Sequence, residues 1–292
     1  MGLDYEVSIN SNQIHILNNQ GFEHIVKEIH GQQHTAESTV GFHNSKFESI
    51  FINFSAFSDR KNELPFNQKT DFYLTLLHEI IHLVSFHEYK GYYKNEKENY
   101  FEEFRTGYRL KSQNSSSYGE MRGLDEAVVE KLTTEIINKH KTEFAKLIGL
   151  RVSGEIKDSG IDSKFLRWME ILEIIILKIS EIKKEDRVET WKRFKKGLFT
   201  GEMMHLREIE NIFGKGSLRM LALMGSSDVH RAYNYEFSVI NFFKTKTQEE
   251  RDDIAEKLVK KNGTAMFGYI KRKSGFAQGG SIKNYYDKIE KN

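Results

Sequence analysis

No cysteine occurs in the 292-residue chain. Disulfides are excluded, and so is any metal site built on thiolates; a metal here has only His, Asp and Glu to bind it. Charge of one sign is also missing. Against 42 Asp and Glu stand 44 Lys and Arg, a net of +2, which creates no field to gather nucleic acid or an anionic membrane. The basic run KRFKKG at 192–197 reads as the solvated face of a helix. Long apolar runs are absent too. The most apolar stretch, WMEILEIIILKISEI at 168–182, is interrupted by Glu170, Glu173, Lys178 and Glu181. It is too short and too charged to span a bilayer and predicts a buried helix. No apolar segment opens the chain, and MGLDYE lacks the hydroxyl residue of a myristoylation signal. This suits a cytoplasmic protein, or the processed form of a secreted one.

What is present suits a folded domain: 38% hydrophobic and 29% charged residues, too apolar for disorder. The first half is mixed. YEVSI (5–9), QIHIL (13–17), STVGF (38–42) and ESIFINF (48–54) read as strands. FEHIVKEIHG (22–31) places Phe22, Ile25, Val26 and Ile29 on one helical face and ends at a capping glycine, Gly31. After the sole proline, Pro65, Thr70 is placed to cap a helix from Asp71 to about His87. YFEEFRTGYRLKSQ (100–113) predicts another extended segment, and SQNSSSYG (112–119) a loop and a seam. From Leu124 the pattern turns helical, beginning with one long amphipathic run at 124–150 and ending in a glycine-rich tail suited to an arm or flap. No repeat of fixed period is found. The expectation is an α+β chain, with residues 1–115 as a mixed lobe and 116–292 as a helical lobe.

The first lobe carries TLLHEIIHLVSF at 74–85. At 100° per residue, His78 and His82 fall on one helical face, a turn apart. Their imidazoles can converge on one ion. Glu79, offset by one residue, stands beside that ion, where it can take a proton from an acidified water. This is the mechanical content of H-E-x-x-H. Leu76, Leu77, Ile80, Ile81, Leu83 and Val84 surround the motif. Without a metal, two imidazoles and a carboxylate in such a shell need partners to offset their desolvation.

Three protein ligands and an open position are what a catalytic zinc requires. His87 is out of register for a third ligand on the same helix and reads as an ordinary surface histidine or one standing behind a metal ligand. In GLDEAVVEKLTTE (123–135), Glu126 and Glu130 share a face at i, i+4. Glu126 is placed to ligate, and Glu130, one turn on, to hydrogen-bond a ligand histidine and fix its tautomer. Glu102, Glu103 and Glu120 compete for the ligand role.

HEIIH followed at a distance by LDEAVVE resembles the gluzincin metallopeptidases, the group that includes thermolysin-like enzymes. Their second motif is N-E-x-x-S/T-D/E on a later helix. The resemblance spans residues 74–132 and departs at Asp125, where Asn is usual, and at Val129, where a hydroxyl residue is common. It implies a zincin-like core with a small twisted sheet and the HExxH helix. It implies Zn2+ held by His78, His82 and Glu126, Glu79 as general base, Glu130 behind a ligand, and a peptide or protein substrate. The 48–54 strand would be the sheet edge along which an extended peptide lies. LTLLHEIIH is also similar to the motif helix of clostridial neurotoxin light chains, without that family's later landmarks.

Peptide hydrolysis also needs a donor for the developing oxyanion. Tyr118, His230 and Tyr233 are the candidates, with Arg231 and Tyr235 beside them. Two readings from other classes remain compatible with the residues. One is a zincin-fold binding or regulatory protein without activity, against which the intact Glu79 argues. The other is a helical interaction protein whose HExxH arises by chance.

Overall fold

The computed structural model describes residues 9–30, 40–58, 66–95, 98–110, 121–147, 163–214, 216–222, 224 and 238–262. They form an α+β chain with two small three-stranded sheets and a majority of helix. The elements are β1 (Ile14–Leu17), α1 (Asn19–His30), β2 (Gly41–Asn44), β3 (Ser49–Asn53), α2 (Phe66–Val84), β4 (His87–Asn95), β5 (Glu98–Thr106) and β6 (Arg109–Leu110). The helices α3 (Arg122–Lys139), α4 (Lys141–Leu147), α5 (Ser163–Lys183), α6 (Arg187–Thr200), α7 (Arg207–Phe213), α8 (Ser217–Ala222), α9 (238–244) and α10 (Gln248–Asn262) follow. None of the helices in the described residues is long and apolar enough to cross a membrane.

The first sheet has the order β1-β3-β2, with β1 parallel and β2 antiparallel to β3. All five residues of β3 are buried, as a continuous apolar run demands of a strand covered on both faces. This corrects the expectation that 48–54 forms the sheet edge: β3 is paired on both sides, by β1 and by β2. Phe22 and Val26 of α1 pack with Phe51, while Phe72 of α2 packs with Ile50, Ile52 and Phe57. The second sheet, β4-β5-β6, is a hairpin of nine-residue strands plus a short third strand.

Helix α2 begins directly after Pro65, five residues before the expected start at Asp71. FNQKT contains no helix breaker, and proline cannot continue a helix toward its own N-terminal side. It stops at Val84 instead of running on to His87. Ser85 Oγ donates to Ile81 O at 2.7 Å and Ser85 N to His82 O at 3.2 Å, using carbonyls that a longer helix would have bonded. His87 therefore opens β4, a strand hidden from sequence reasoning by its Lys, Gly and Asn. The long 124–150 run is two helices, broken at His140. Its first half is not amphipathic either: Leu124 through Glu130 are all buried. The 5–9 strand, Gly31, the 112–119 seam and the glycine-rich tail lie outside the described residues.

Two compact units cluster from the chain. The first comprises residues 1–107, 128–163 and 198–200, and the second comprises 108–127, 164–197 and 201–292. In the second, α5 buries Trp168, Ile171, Leu172, Ile175, Ile176 and Ile179, the i, i+3, i+4 spacing of one helical face. Lys183–Glu208 and Lys244–Glu170 ion pairs flank that helix.

Burial on both sides of β3 has a measurable consequence. Ile52 is fully buried and Ile16, on β1, is 53% exposed. Ile52→Ala should lower unfolding free energy by about 2–5 kcal/mol, and Ile16→Ala by under about 0.5 kcal/mol. Urea denaturation reads both, and equal losses would contradict a central β3.

Candidate metal centre

At 100° per residue, α2 presents three stripes. Phe72, Leu76, Ile80 and Leu83 meet the first sheet, and Leu74 with Leu77 meets Ile137 and Phe144. His78 and His82 fall on a third stripe that neither cluster covers. Two apolar faces thus fix the roll of α2 and aim both imidazoles the same way.

The two Nε2 atoms lie 3.1 Å apart. Ligand atoms each about 2.05 Å from a tetrahedral ion would stand about 3.3 Å apart, so the pair already has the spacing of two ligands. His78 Nδ1 is 3.0 Å from Glu130 Oε2. A carboxylate accepts only, so Nδ1 carries the hydrogen, and in the neutral ring that tautomer leaves the lone pair on Nε2. His78, His82 and Glu126 offer ligand atoms all within 4.8 Å of one another. Among the described residues this is the one group of three such side chains close enough to hold a metal ion. The donor set, two imidazoles and a carboxylate, suits a divalent transition ion. Glu79, Glu126 and Glu130 are 8%, 8% and 6% exposed, which places three carboxylates in poor solvent around the histidines.

Helix α3 is held in register by contacts that sequence reasoning did not single out. Met121 N donates to Ala222 O and Gly123 N to Met224 O, each at 2.8 Å. A Cβ at Gly123 would meet Met224 O at 2.9 Å, so the close backbone approach requires glycine. Asp125 Oδ1 accepts the Tyr108 N–H at 2.7 Å. Tyr108 Oη donates to Phe194 O and lies 2.7 Å from His205 Nε2. Arg122 Nε pairs with Glu126 Oε1 at 3.3 Å; the R-x-x-x-E spacing of that pair was legible but unread.

His87 lies apart from the metal group. Its Nδ1 is 3.0 Å from Glu103 Oε1 and its Nε2 3.2 Å from Leu83 O, so it closes the C-terminal end of α2. Of the competing carboxylates, Glu103 is therefore engaged elsewhere. The side chains of Glu102 and Glu120 lie outside the described residues, as do Tyr118, His230, Arg231, Tyr233 and Tyr235. Burial alone would raise the Glu103 carboxyl, but hydrogen bonds from His87, Thr106 and Ser45 and the His87 charge outweigh it and hold it at about 2.

Comparison with known protein families, curated proteins and solved structures finds no match to this chain.

Two outcomes follow from this geometry. Glu130→Gln should weaken divalent metal affinity about 10–100-fold, read by competition with a chromophoric chelator. Unchanged affinity would remove Glu130 from the site. Glu103 takes a proton near 4.5 when unconstrained and at about 2 in the fold. Its stabilisation is thus present above pH 4.5 and is lost as pH falls toward 2. Glu103→Gln should flatten that part of the acid-unfolding curve.

Proposed function

We propose that the chain is a zinc metallopeptidase of gluzincin type, hydrolysing peptide bonds with a glutamate general base. The observation that carries this reading is the meeting of His78, His82 and Glu126 within 4.8 Å on two helices far apart in sequence. H-E-x-x-H alone is a short pattern. A carboxylate arriving 44 positions later, with a second one bonded to His78 Nδ1, adds a condition that a chance motif has no reason to meet.

His78 and His82 would hold the ion through Nε2 and Glu126 through a carboxylate oxygen. Bound there, zinc would supply Lewis acidity, bringing the pKa of water toward about 7 and polarising the scissile carbonyl. The remaining roles fall to the chain. Glu79 takes the proton from the attacking water and returns it to the leaving amine. Glu130 accepts from His78 Nδ1–H, which fixes the tautomer and makes the imidazole more basic. Arg122 restrains Glu126 through their ion pair. The apolar residues around the motif lower the local dielectric, which strengthens each of these interactions.

The test uses the full chain loaded with zinc and a peptide library. Glu79→Gln should keep the metal content and lower cleavage by at least about 10²-fold. Undiminished cleavage would overturn the role of Glu79. A wild-type chain that binds zinc yet cuts no peptide would favour the binding-protein reading.

A further inference from the structure

Tyr108 is fully buried, and its phenol is bonded at the tip. Its Oη donates to Phe194 O at 2.7 Å and lies 2.7 Å from His205 Nε2. A phenol has one proton to give and the carbonyl can only accept, so the hydrogen of the second bond sits on His205 Nε2. The His205 ring is buried as well and meets Phe194 edge-on, with centroids 4.8 Å apart. A Cβ at Gly197 would run into Tyr108 Oη and would stand 2.6 Å from both Glu202 O and His205 Cε1. Glycine is therefore what lets the backbone of α6 close over the hydroxyl. No step of the proposed hydrolysis uses any of these groups.

The backbone of Tyr108 leads toward the metal centre. Its N–H donates to Asp125 Oδ1 at 2.7 Å, and Asp125, itself buried, directly precedes Glu126. Around α3, Asp125 stands about 200° from Gly123, whose N–H is bonded to Met224 O. The first turns of α3 are thus tethered on opposite sides. One tether joins backbone to backbone. The other joins the Asp125 carboxylate to an amide whose place depends on a phenol anchored 86 and 97 positions away in sequence. A helix tethered on one side alone is free to roll about that contact. A roll of about 10° carries a carboxylate about 6 Å from the helix axis through about 1 Å, whereas a preorganised ligand set tolerates about 0.5 Å.

We infer that Tyr108 is a positioning residue for the third metal ligand, with His205 as its partner. The bonds of the phenol to Phe194 O and His205 hold the Tyr108 amide against Asp125, and Asp125 fixes the roll of α3 that aims Glu126. This inference rests on the His78, His82 and Glu126 ligand set of the proposed function, and not on peptide cleavage.

Divalent metal affinity of the full chain, measured by competition with a chromophoric chelator, reads the device without any substrate. Tyr108→Phe keeps the ring, removes both side-chain hydrogen bonds and should weaken metal binding about tenfold. His205→Leu should do the same. His205→Gln, whose amide can still donate to Tyr108 Oη, should stay close to wild type. Ile175→Ala, a core change on α5 in the same unit, should lower stability without moving metal affinity, which separates positioning from a general loss of packing. In the metal-free chain, exchange of the Tyr108 amide hydrogen should quicken in Tyr108→Phe and not in His205→Gln. Unchanged affinity in Tyr108→Phe, an equal loss in Ile175→Ala, or identical behaviour of His205→Gln and His205→Leu would each overturn the inference. A wild-type chain that binds no divalent ion removes the ligand set and the inference with it. One that shows this pattern of affinities yet cuts no peptide supports the inference and fails the hydrolysis alone.

Discussion

Everything at the candidate centre depends on two imidazole nitrogens being held 3.1 Å apart on a helix otherwise committed to packing. Neighbouring lone pairs repel, so such an approach is favourable only when a proton or a cation lies between them. Rotating α2 about its axis would swing both rings together away from Glu130 and pull Phe72, Leu76, Ile80 and Leu83 off the first sheet. Hydrophobic packing on two faces therefore fixes the direction in which the third stripe faces. That is how a rigid element preorganises a site: the core bears the cost, and the ligands lose little freedom when an ion arrives.

Glu130 adds a second constraint from behind. Its bond to His78 Nδ1 fixes the ring's orientation as well as its tautomer. Because Glu126 precedes it by four residues, the helix that orients His78 also carries the third donor. The geometry thus rests on two helices and four side chains, with the roll of each helix set by apolar neighbours and, for α3, by the backbone bonds at Met121 and Gly123.

Much of this was legible in the sequence, because helical periodicity acts locally. The i, i+4 spacings of His78 with His82 and of Glu126 with Glu130 place each pair on a face whatever the tertiary fold. The strand 48–54 was equally legible as a strand, but its place within the sheet was not. A run buried on both faces signals a central strand, and the expectation of an edge came from the resemblance, not from its composition. The stop of α2 at Val84 was hidden because Ser85 ends the helix by bonding back to Ile81 O, a local competition that apolar periodicity does not reveal. Contacts at long sequence separation were least legible. Nothing near Asp125 announces Tyr108, and nothing near Gly123 announces Met224.

Those contacts bear on the two departures from the gluzincin pattern. Asp125 stands where Asn is usual, and its role in the structure is to accept the Tyr108 N–H, which either side chain's oxygen can do. The substitution therefore keeps the hydrogen bond that pins the first turn of α3 while adding a charge, which that helix's N-terminal dipole stabilises. Val129 stands where a hydroxyl is common and is fully buried. The hydroxyl nearest on the same face is Thr133, which donates to Val129 O at 2.9 Å. A hydroxyl in place of Val129 would need its own partner in that apolar setting, and valine needs none. Both departures thus leave the directions of Glu126 and Glu130 to the same helix geometry, and the proposed ligand set does not depend on the residues that differ.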